Sequence, residues 1–142
     1  LDAQLVRRAS VALQISASGR LDPATGLLLA DAAHQAREAD SADQPSREAA
    51  ESDLTRALHL ALAETPVGME LRDELADACH RVQLARRFHN DAVRAARSLR
   101  GKRIVRWLRL AGRAPWPRTF EMSDTPPQGL TRAAAESRTV DP

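Results

Sequence analysis

Apolar side chains recur every three or four residues along most of this 142-residue chain, and proline or glycine interrupts the pattern at intervals. This spacing places apolar side chains on one face of an α-helix, so it predicts amphipathic helices. The pattern predicts four of them, over residues 1–17, 23–39, 45–64 and 69–100. Asp22 followed by Pro23 predicts a helix start, because aspartate caps free amides and proline fits the first turn.

The same pattern predicts which side chains face the core. We expect inward positions at Leu5, Ala9, Ala12, Leu13 and Ser16, then Leu27, Leu28, Ala30 and Ala33, then Leu54, Leu58, Ala61 and Leu62, and finally Leu71, Leu75, Ala78, Val82, Ala85, Ala92, Ala96 and Leu99. We also expect Phe88 and Cys79 to be buried and Asn90 to be exposed. Short connections make neighbouring helices antiparallel. The predicted fold is therefore all-α: an antiparallel up-down bundle of about four helices with one long helix (69–100), a short basic C-terminal helix and a flexible tail.

Composition supports helices and excludes other classes. Aromatic residues make up 3% of the chain and tyrosine is missing, which argues against an all-β protein. The single cysteine, Cys79, excludes an internal disulfide and a thiolate-rich zinc site. No stretch approaches the roughly 18 consecutive apolar residues of a membrane span. Because Leu1 already lies within a helical pattern, we expect the chain to be a fragment or processed product, with any membrane anchor upstream.

Charge is distributed unevenly along the chain. Residues 31–77 contain twelve acidic residues and four arginines, whereas residues 78–120 contain twelve basic residues and one acid. Side-by-side packing of acidic and basic helices explains this asymmetry most simply. Residues 97–118 stand apart, because they carry eight basic residues and no acid.

A basic helix is predicted within this stretch. Its basic side chains fall within about 120° on a helical wheel, and Ile104, Trp107, Leu108 and Ala111 lie opposite them. An arginine-rich amphipathic helix suits an anionic membrane surface. The alternative is that its apolar side chains cap the bundle core and its arginines are solvated. The candidate residues for membrane or partner contact are Lys102, Arg103, Arg106, Trp107, Arg109, Arg113 and Trp116.

Several motifs resemble the LemA family. The strongest is Ala85-Arg86-Arg87-Phe88-His89-Asn90-Asp91-Ala92-Val93-Arg94, preceded by an Ala-Leu stretch that ends at Glu64-Thr65-Pro66. The opening residues 1–9 and the pair Phe120-Glu121 are also similar to family patterns. His89 and Thr65 stand where the family usually has tyrosine, so the chain resembles a divergent member. The resemblance covers most of residues 1–121.

The resemblance implies a helical domain (1–121), followed by a flexible tail (122–142), in a single-pass, membrane-anchored bacterial protein. It implies no enzyme activity and no cofactor. We therefore expect a scaffold or interaction module at the cell membrane, in contact with anionic lipid or a membrane protein; the side of the membrane stays open. The alternative is an accessory subunit docked on a larger membrane protein complex through its basic helix and tail. Small-molecule substrates are not expected.

The sequence also contains candidate metal ligands. Asp31 with His34, and Asp77 with His80, place a carboxylate and an imidazole three residues apart, as di-iron bundles do with glutamate. The first helix has no acid after Asp2 to complete such a site, so a carboxylate/histidine metal-binding bundle is a remote alternative. Nucleic acid is not expected, because no helix-turn-helix signature is present and the acidic half would repel a duplex.

Overall fold

The computed structural model describes residues 1–39, 43–64, 67–101, 116–127 and Leu130. Within these ranges the chain forms helices α1 (Asp2–Ala17), α2 (Pro23–Glu38), α3 (Gln44–Glu64) and α4 (Met69–Gly101). The all-α fold is confirmed, and each helix begins and ends within one residue of the predicted position. The predicted basic helix, at residues 102–113, lies outside the described residues.

The turn between α1 and α2 has the local chemistry that the sequence predicts. Gly19 follows the end of α1 with φ of 67°, a left-handed conformation that costs glycine little. Asp22 then caps α2: its Oδ1 accepts hydrogen bonds from the backbone amides of Ala24 at 3.0 Å and Thr25 at 3.1 Å. These bonds satisfy amides that have no partner within the first helical turn.

The helices enclose a core on three sides. α1 packs against α2 and α4, and α2 packs against α3. α1 and α4 are antiparallel, since Leu5 packs with Val82 while Arg7 lies 3.9 Å from Glu74 and Asp77. Between α3 and α4, however, no Cα atoms approach within 8 Å. The bundle is therefore open along its α3–α4 side.

Most of the predicted core is confirmed, but the prediction for α2 is wrong at two positions. Leu27 and Leu28 are 72% and 50% exposed, whereas Leu29 is fully buried. Because three consecutive residues are leucine, the sequence does not determine which of them faces the core. Leu29 shares its face with Ala33 and Ala36, and this face packs into the core.

In α4 the prediction holds for the N-terminal half and fails for the C-terminal half. Leu75, Ala78 and Val82 are buried, but Ala92 and Leu99 are exposed. The predicted positions repeat every seven residues, and such a repeat drifts by about 20° per heptad around a straight helix. Over four heptads the predicted stripe therefore leaves the core. Phe88 is exposed and Asn90 is buried, each opposite to the prediction.

The C-terminal region also differs from the prediction of a flexible tail that begins at residue 122. Residues 116–127 run along the open side of the bundle without helical structure, and Phe120 and Met122 are buried there. Leu130 reaches the main core. We call residues 116–127 the closing segment. The rest of the predicted tail lies outside the described residues.

Candidate functional site

The groove between α3 and α4 is the most elaborate polar site in the described part of the chain. The closing segment lies in it, parallel to α3 and antiparallel to α4. As residue numbers increase along the segment, those of its α3 partners also increase, from Gln44 bonded to Thr119 to His59 beside Thr125. Those of its α4 partners decrease, from Arg97 bonded to Pro117 to Gln83 bonded to Asp124.

Polar side chains of α3 bind the odd-numbered residues of the segment through their backbone groups. Gln44 donates to the carbonyl oxygen of Thr119. The carboxylate of Glu48 accepts from the amide of Glu121 at 2.9 Å. Ser52 accepts from the amide of Ser123 at 3.2 Å, and the Thr55 hydroxyl lies 2.7 Å from the Ser123 carbonyl oxygen. His59 Nε2 lies 2.9 Å from the carbonyl oxygen of Thr125.

Polar side chains of α4 bind mainly the even-numbered residues. Asn90 makes two bonds to Phe120: its Oδ1 accepts from the amide at 2.8 Å and its Nδ2 donates to the carbonyl oxygen at 3.2 Å. Gln83 donates to the carbonyl oxygen of Asp124 at 2.8 Å. His89 Nε2 approaches the Arg118 carbonyl oxygen at 3.3 Å.

This alternation is the hydrogen-bonding pattern of a β-strand, with helix side chains in place of neighbouring strands. In an extended chain, the backbone groups of successive residues point to opposite edges. The dimensions agree. Residues 44–59 of α3 rise by about 22 Å, and residues 119–125 of an extended segment span about 20 Å.

Side chains of the segment alternate as well. Phe120 and Met122 are buried and pack with Leu5 and Val82, while Glu121 and Ser123 are exposed. Asp124 forms an ion pair with Arg86 at 2.8 Å, with both side chains about one-fifth exposed. Over positions 120–124 the segment therefore buries the apolar side chains at 120 and 122, exposes those at 121 and 123, and pairs the acid at 124 with α4.

A buried polar cluster lies beneath the segment. Arg8 of α1 donates to the Glu51 carboxylate at 2.6 Å and to the Thr55 hydroxyl at 3.0 Å, and Thr55 in turn contacts the segment. Burial raises the pKa of the Glu51 carboxyl above its ordinary 4.5, against the opposing attraction of Arg8. Sequence patterns gave no sign that Arg8 would be buried.

A second surface feature lies on the outer face of α4. Apolar side chains at Leu84, Phe88, Ala92, Ala95 and Leu99 are all exposed and follow one another at spacings of three or four residues. We call this set the α4 stripe. It lies on the opposite side of the helix from the buried positions Val82, Asn90 and Val93.

Two arginines lie beside the α4 stripe. Residues 80–101 of α4 contain six arginines and one acid. Three of the arginines contact the closing segment instead: Arg86, Arg97 and Arg100. Arg87 and Arg94 are exposed next to the stripe, and Arg94 pairs with Asp91 at 2.7 Å. The surface is therefore apolar along its centre, with Arg87 and the Arg94–Asp91 ion pair along one margin.

Six of the seven residues predicted for membrane or partner contact lie outside the described residues. These are Lys102, Arg103, Arg106, Trp107, Arg109 and Arg113. Trp116 is described and is 63% exposed, with the Arg100 guanidinium 5.7 Å from its ring centroid. Trp116 therefore lies at the same end of α4 as Leu99.

Candidate metal ligands and nucleophiles do not converge in the described ranges. There, no three histidine, cysteine, aspartate or glutamate side chains are grouped so that they could hold a metal ion. Asp77 instead pairs with Arg81 at 2.8 Å, as its spacing predicts. Cys79 is buried as predicted, and burial raises the pKa of its thiol. A raised pKa keeps a thiol protonated and makes it a poor nucleophile.

The groove was missed at the sequence level, although a signal for it exists. Along α3 the polar residues facing the segment are spaced by three or four, directly beside the apolar face: Gln44, Glu48, Ser52, Thr55 and His59. Such a stripe indicates a polar partner next to the core. The sequence alone does not say that residues 116–127 supply it.

Comparison with known proteins adds no relative. The chain matches none of the models of known protein families, none of the curated proteins and none of the solved structures. None of the described helices is both long enough and apolar enough to cross a membrane. The resemblance to the LemA family therefore stays a prediction based on the residues quoted above.

Proposed function

We propose that this chain is a non-enzymatic interaction module of a membrane-anchored bacterial protein, and that it lies against an anionic membrane surface. The α4 stripe is the observation that carries the proposal. Phe88 and Leu99 are 66% and 54% exposed, on a part of α4 (residues 80–101) that carries six arginines and one acid. Interfacial helices combine these features, with phenylalanine and leucine on one face and cationic side chains beside them.

The charge distribution supports a lipid partner. From Arg81 to Arg118 the chain carries twelve basic residues and one acid. A basic residue near an anionic bilayer contributes about 1 kcal/mol. The candidate residues between Lys102 and Arg113 follow α4 directly in the sequence.

A membrane protein is the second candidate partner. Trp116 favours it, because exposed tryptophan and arginine are the residue types that contribute most to protein interfaces. In that case the chain would act as an accessory subunit on a larger complex, and it would bind protein rather than lipid.

Vesicle flotation tests the proposal. The full chain is mixed with neutral or anionic vesicles at low and high salt, beside a variant with Leu84→Ser, Phe88→Ser and Leu99→Ser. We expect salt-sensitive binding to anionic vesicles alone, reduced at least about tenfold in the variant, because each exposed apolar side chain contributes on the order of 1 kcal/mol when buried in lipid.

A matched control uses equally exposed apolar residues on other parts of the bundle. Leu27→Ser, Leu60→Ser and Met69→Ser replace side chains that are 72%, 61% and 80% exposed. This variant should bind like the wild type. A third variant, Arg103→Glu/Arg106→Glu/Arg109→Glu, measures the contribution of the basic stretch. Equal loss in the stripe variant and the control would contradict the proposed surface, and a wild type that binds neither vesicle would favour the protein partner.

A further inference from the structure

The closing segment is held mainly through its backbone. Along both edges, side chains of α3 and α4 contact amides and carbonyl oxygens, as Asn90 does at Phe120 and Ser52 does at Ser123. Backbone recognition of an extended segment does not require that segment to belong to the same molecule, and many proteins bind a partner's extended peptide in this way.

The segment is also separable from the main core. Phe120 and Met122 form a small cluster with Leu5 and Val82, apart from the main cluster that joins the four helices. Of the described residues beyond α4, only Leu130 belongs to the main cluster. Leu130 follows the segment by three residues, so it leaves the main cluster together with the segment, whereas the helices keep their apolar contacts with one another.

Two clefts that are open to solvent lie beside residues 118–120. One has a volume of about 260 Å³ and is lined in part by Arg47, His89 and Phe120. The other has a volume of about 320 Å³ and is lined in part by Arg97 and Thr119. Hydrogen bonds to the backbone that are exposed to solvent lower the free energy needed to release a segment locally.

The length of the connection permits exchange between molecules. Fourteen residues, 102–115, separate Gly101 from Trp116, although Arg100 and Trp116 are in contact. Such a connection reaches at most about 50 Å when extended. That is as long as α4 itself, at about 50 Å for its 33 residues.

We propose that the groove between α3 and α4 accepts the closing segment of a second copy of this chain, so that two molecules associate by exchanging residues 116–127. The structure supports a second copy as the occupant, because its closing segment is identical to the one in the groove and can make the same contacts. Exchange of identical elements is a common route to dimers. This inference is independent of the membrane proposal.

The closed arrangement within one molecule sets an upper limit on the dissociation constant of the segment from the groove. A connection of fourteen residues keeps the segment close to its own groove, so its effective concentration there is on the order of 1 mM. Because the segment occupies its own groove, its dissociation constant from the groove is below about 1 mM. Wild-type chains are therefore mostly closed monomers at micromolar concentration, and exchange grows as the concentration approaches millimolar.

Complementation between two full-length variants tests the exchange. The first variant, Phe120→Asp/Met122→Asp, has a defective segment and an intact groove. The second, Ser52→Ala/Gln83→Ala/Asn90→Ala, has a defective groove and an intact segment. Sedimentation velocity is recorded for each alone and for the equimolar mixture, up to 1 mM. We expect monomers of each variant alone and a one-to-one complex in the mixture.

A control variant that combines all five substitutions should form no complex with the second variant. A mixture that stays monomeric at 1 mM, with both proteins helical by circular dichroism, overturns the proposal. If the first variant does not fold, Phe120→Ala/Met122→Ala replaces it.

A synthetic peptide of residues 116–127 gives an independent measurement. Titrated into the folded variant with the defective segment, it should bind saturably with a dissociation constant below 1 mM. The same peptide with both apolar residues replaced by aspartate should not bind. Equal binding of the two peptides, or of neither, would overturn the proposed groove specificity.

Discussion

Arg8 and Glu51 place two opposite charges where almost no water reaches them, at 2% and 0% exposed. Their bond at 2.6 Å recovers part of the desolvation cost, and Thr55 accepts a further bond from Arg8. One nitrogen of Arg8 and one oxygen of Glu51 have no protein partner. Such a pair fixes geometry more than it stabilises, because removal of charge from water can cost more than the attraction returns.

Substitution of the pair separates these two effects. Arg8→Met or Glu51→Leu alone leaves one unpaired buried charge and should lower the free energy of unfolding by about 3–5 kcal/mol. The double substitution removes both charges and should be close to neutral or stabilising. Urea unfolding of the three variants measures this. A double variant that loses the sum of both single losses would show that the ion pair itself stabilises the fold.

The pH dependence of the same pair follows from the pKa of Glu51. Burial raises this pKa, so just above pH 4.5 the folded chain holds a proton that the unfolded chain has already lost. In that window stability falls as pH rises. Relative to the double variant, the wild type should therefore lose stability from pH 4.5 upward. Urea unfolding at a series of pH values tests the sign, and a relative gain with rising pH would contradict it.

Asn90 shows a different residue-scale effect, since its amide pairs with both backbone groups of Phe120. Asn90→Ala leaves a buried amide and a buried carbonyl without these partners, which should cost about 2 kcal/mol. Arg94→Ala, at an exposed position on the same helix, should change stability by less than about 0.5 kcal/mol. Chemical unfolding compares the two. Equal effects would mean that water replaces the Asn90 bonds.

At the scale of elements, the helices could be predicted because their signals are local. Pro23, Gly19 and the three- or four-residue spacing of apolar residues can be recognised without knowing which elements pack together. Which face of each helix is buried depends on the elements that pack around it. The apolar residues of α4 follow a seven-residue repeat while the straight helix keeps its core near a 3.6-residue repeat, so the two separate toward Leu99. The groove could not be predicted for the same reason, because it depends on which segment lies beside α3.

The choice of buried face in α4 leads to a quantitative prediction. Val93 is 5% exposed and Phe88 is 66% exposed, although the phenylalanine is much the larger side chain. Val93→Ala should lower stability by about 1–2 kcal/mol, because it removes buried methyl groups. Phe88→Ala should change stability by less than about 0.5 kcal/mol. Thermal or urea unfolding decides between this choice of buried face and the sequence-based prediction that Phe88 is buried, which gives the larger loss at Phe88.

At the scale of the whole molecule, the bundle is closed on three sides by helix packing and on the fourth by an extended segment. The two kinds of closure differ in strength. Helix packing buries the main cluster, whereas the segment buries Phe120 and Met122 and relies on hydrogen bonds for the rest. We therefore expect the segment to open as a unit while the helices stay folded.

Amide hydrogen exchange in the full chain measures this opening. Phe120, Glu121 and Ser123 donate their amides to side chains of three different residues, yet they should exchange with one common free energy. That value should be lower than for amides at the buried centre of α1, such as Ile15. Phe120→Ala should lower it for all three amides and leave Ile15 unchanged. If the three amides exchanged only with global unfolding, the segment would be part of the cooperative core, and exchange of this segment between molecules would require the whole bundle to unfold.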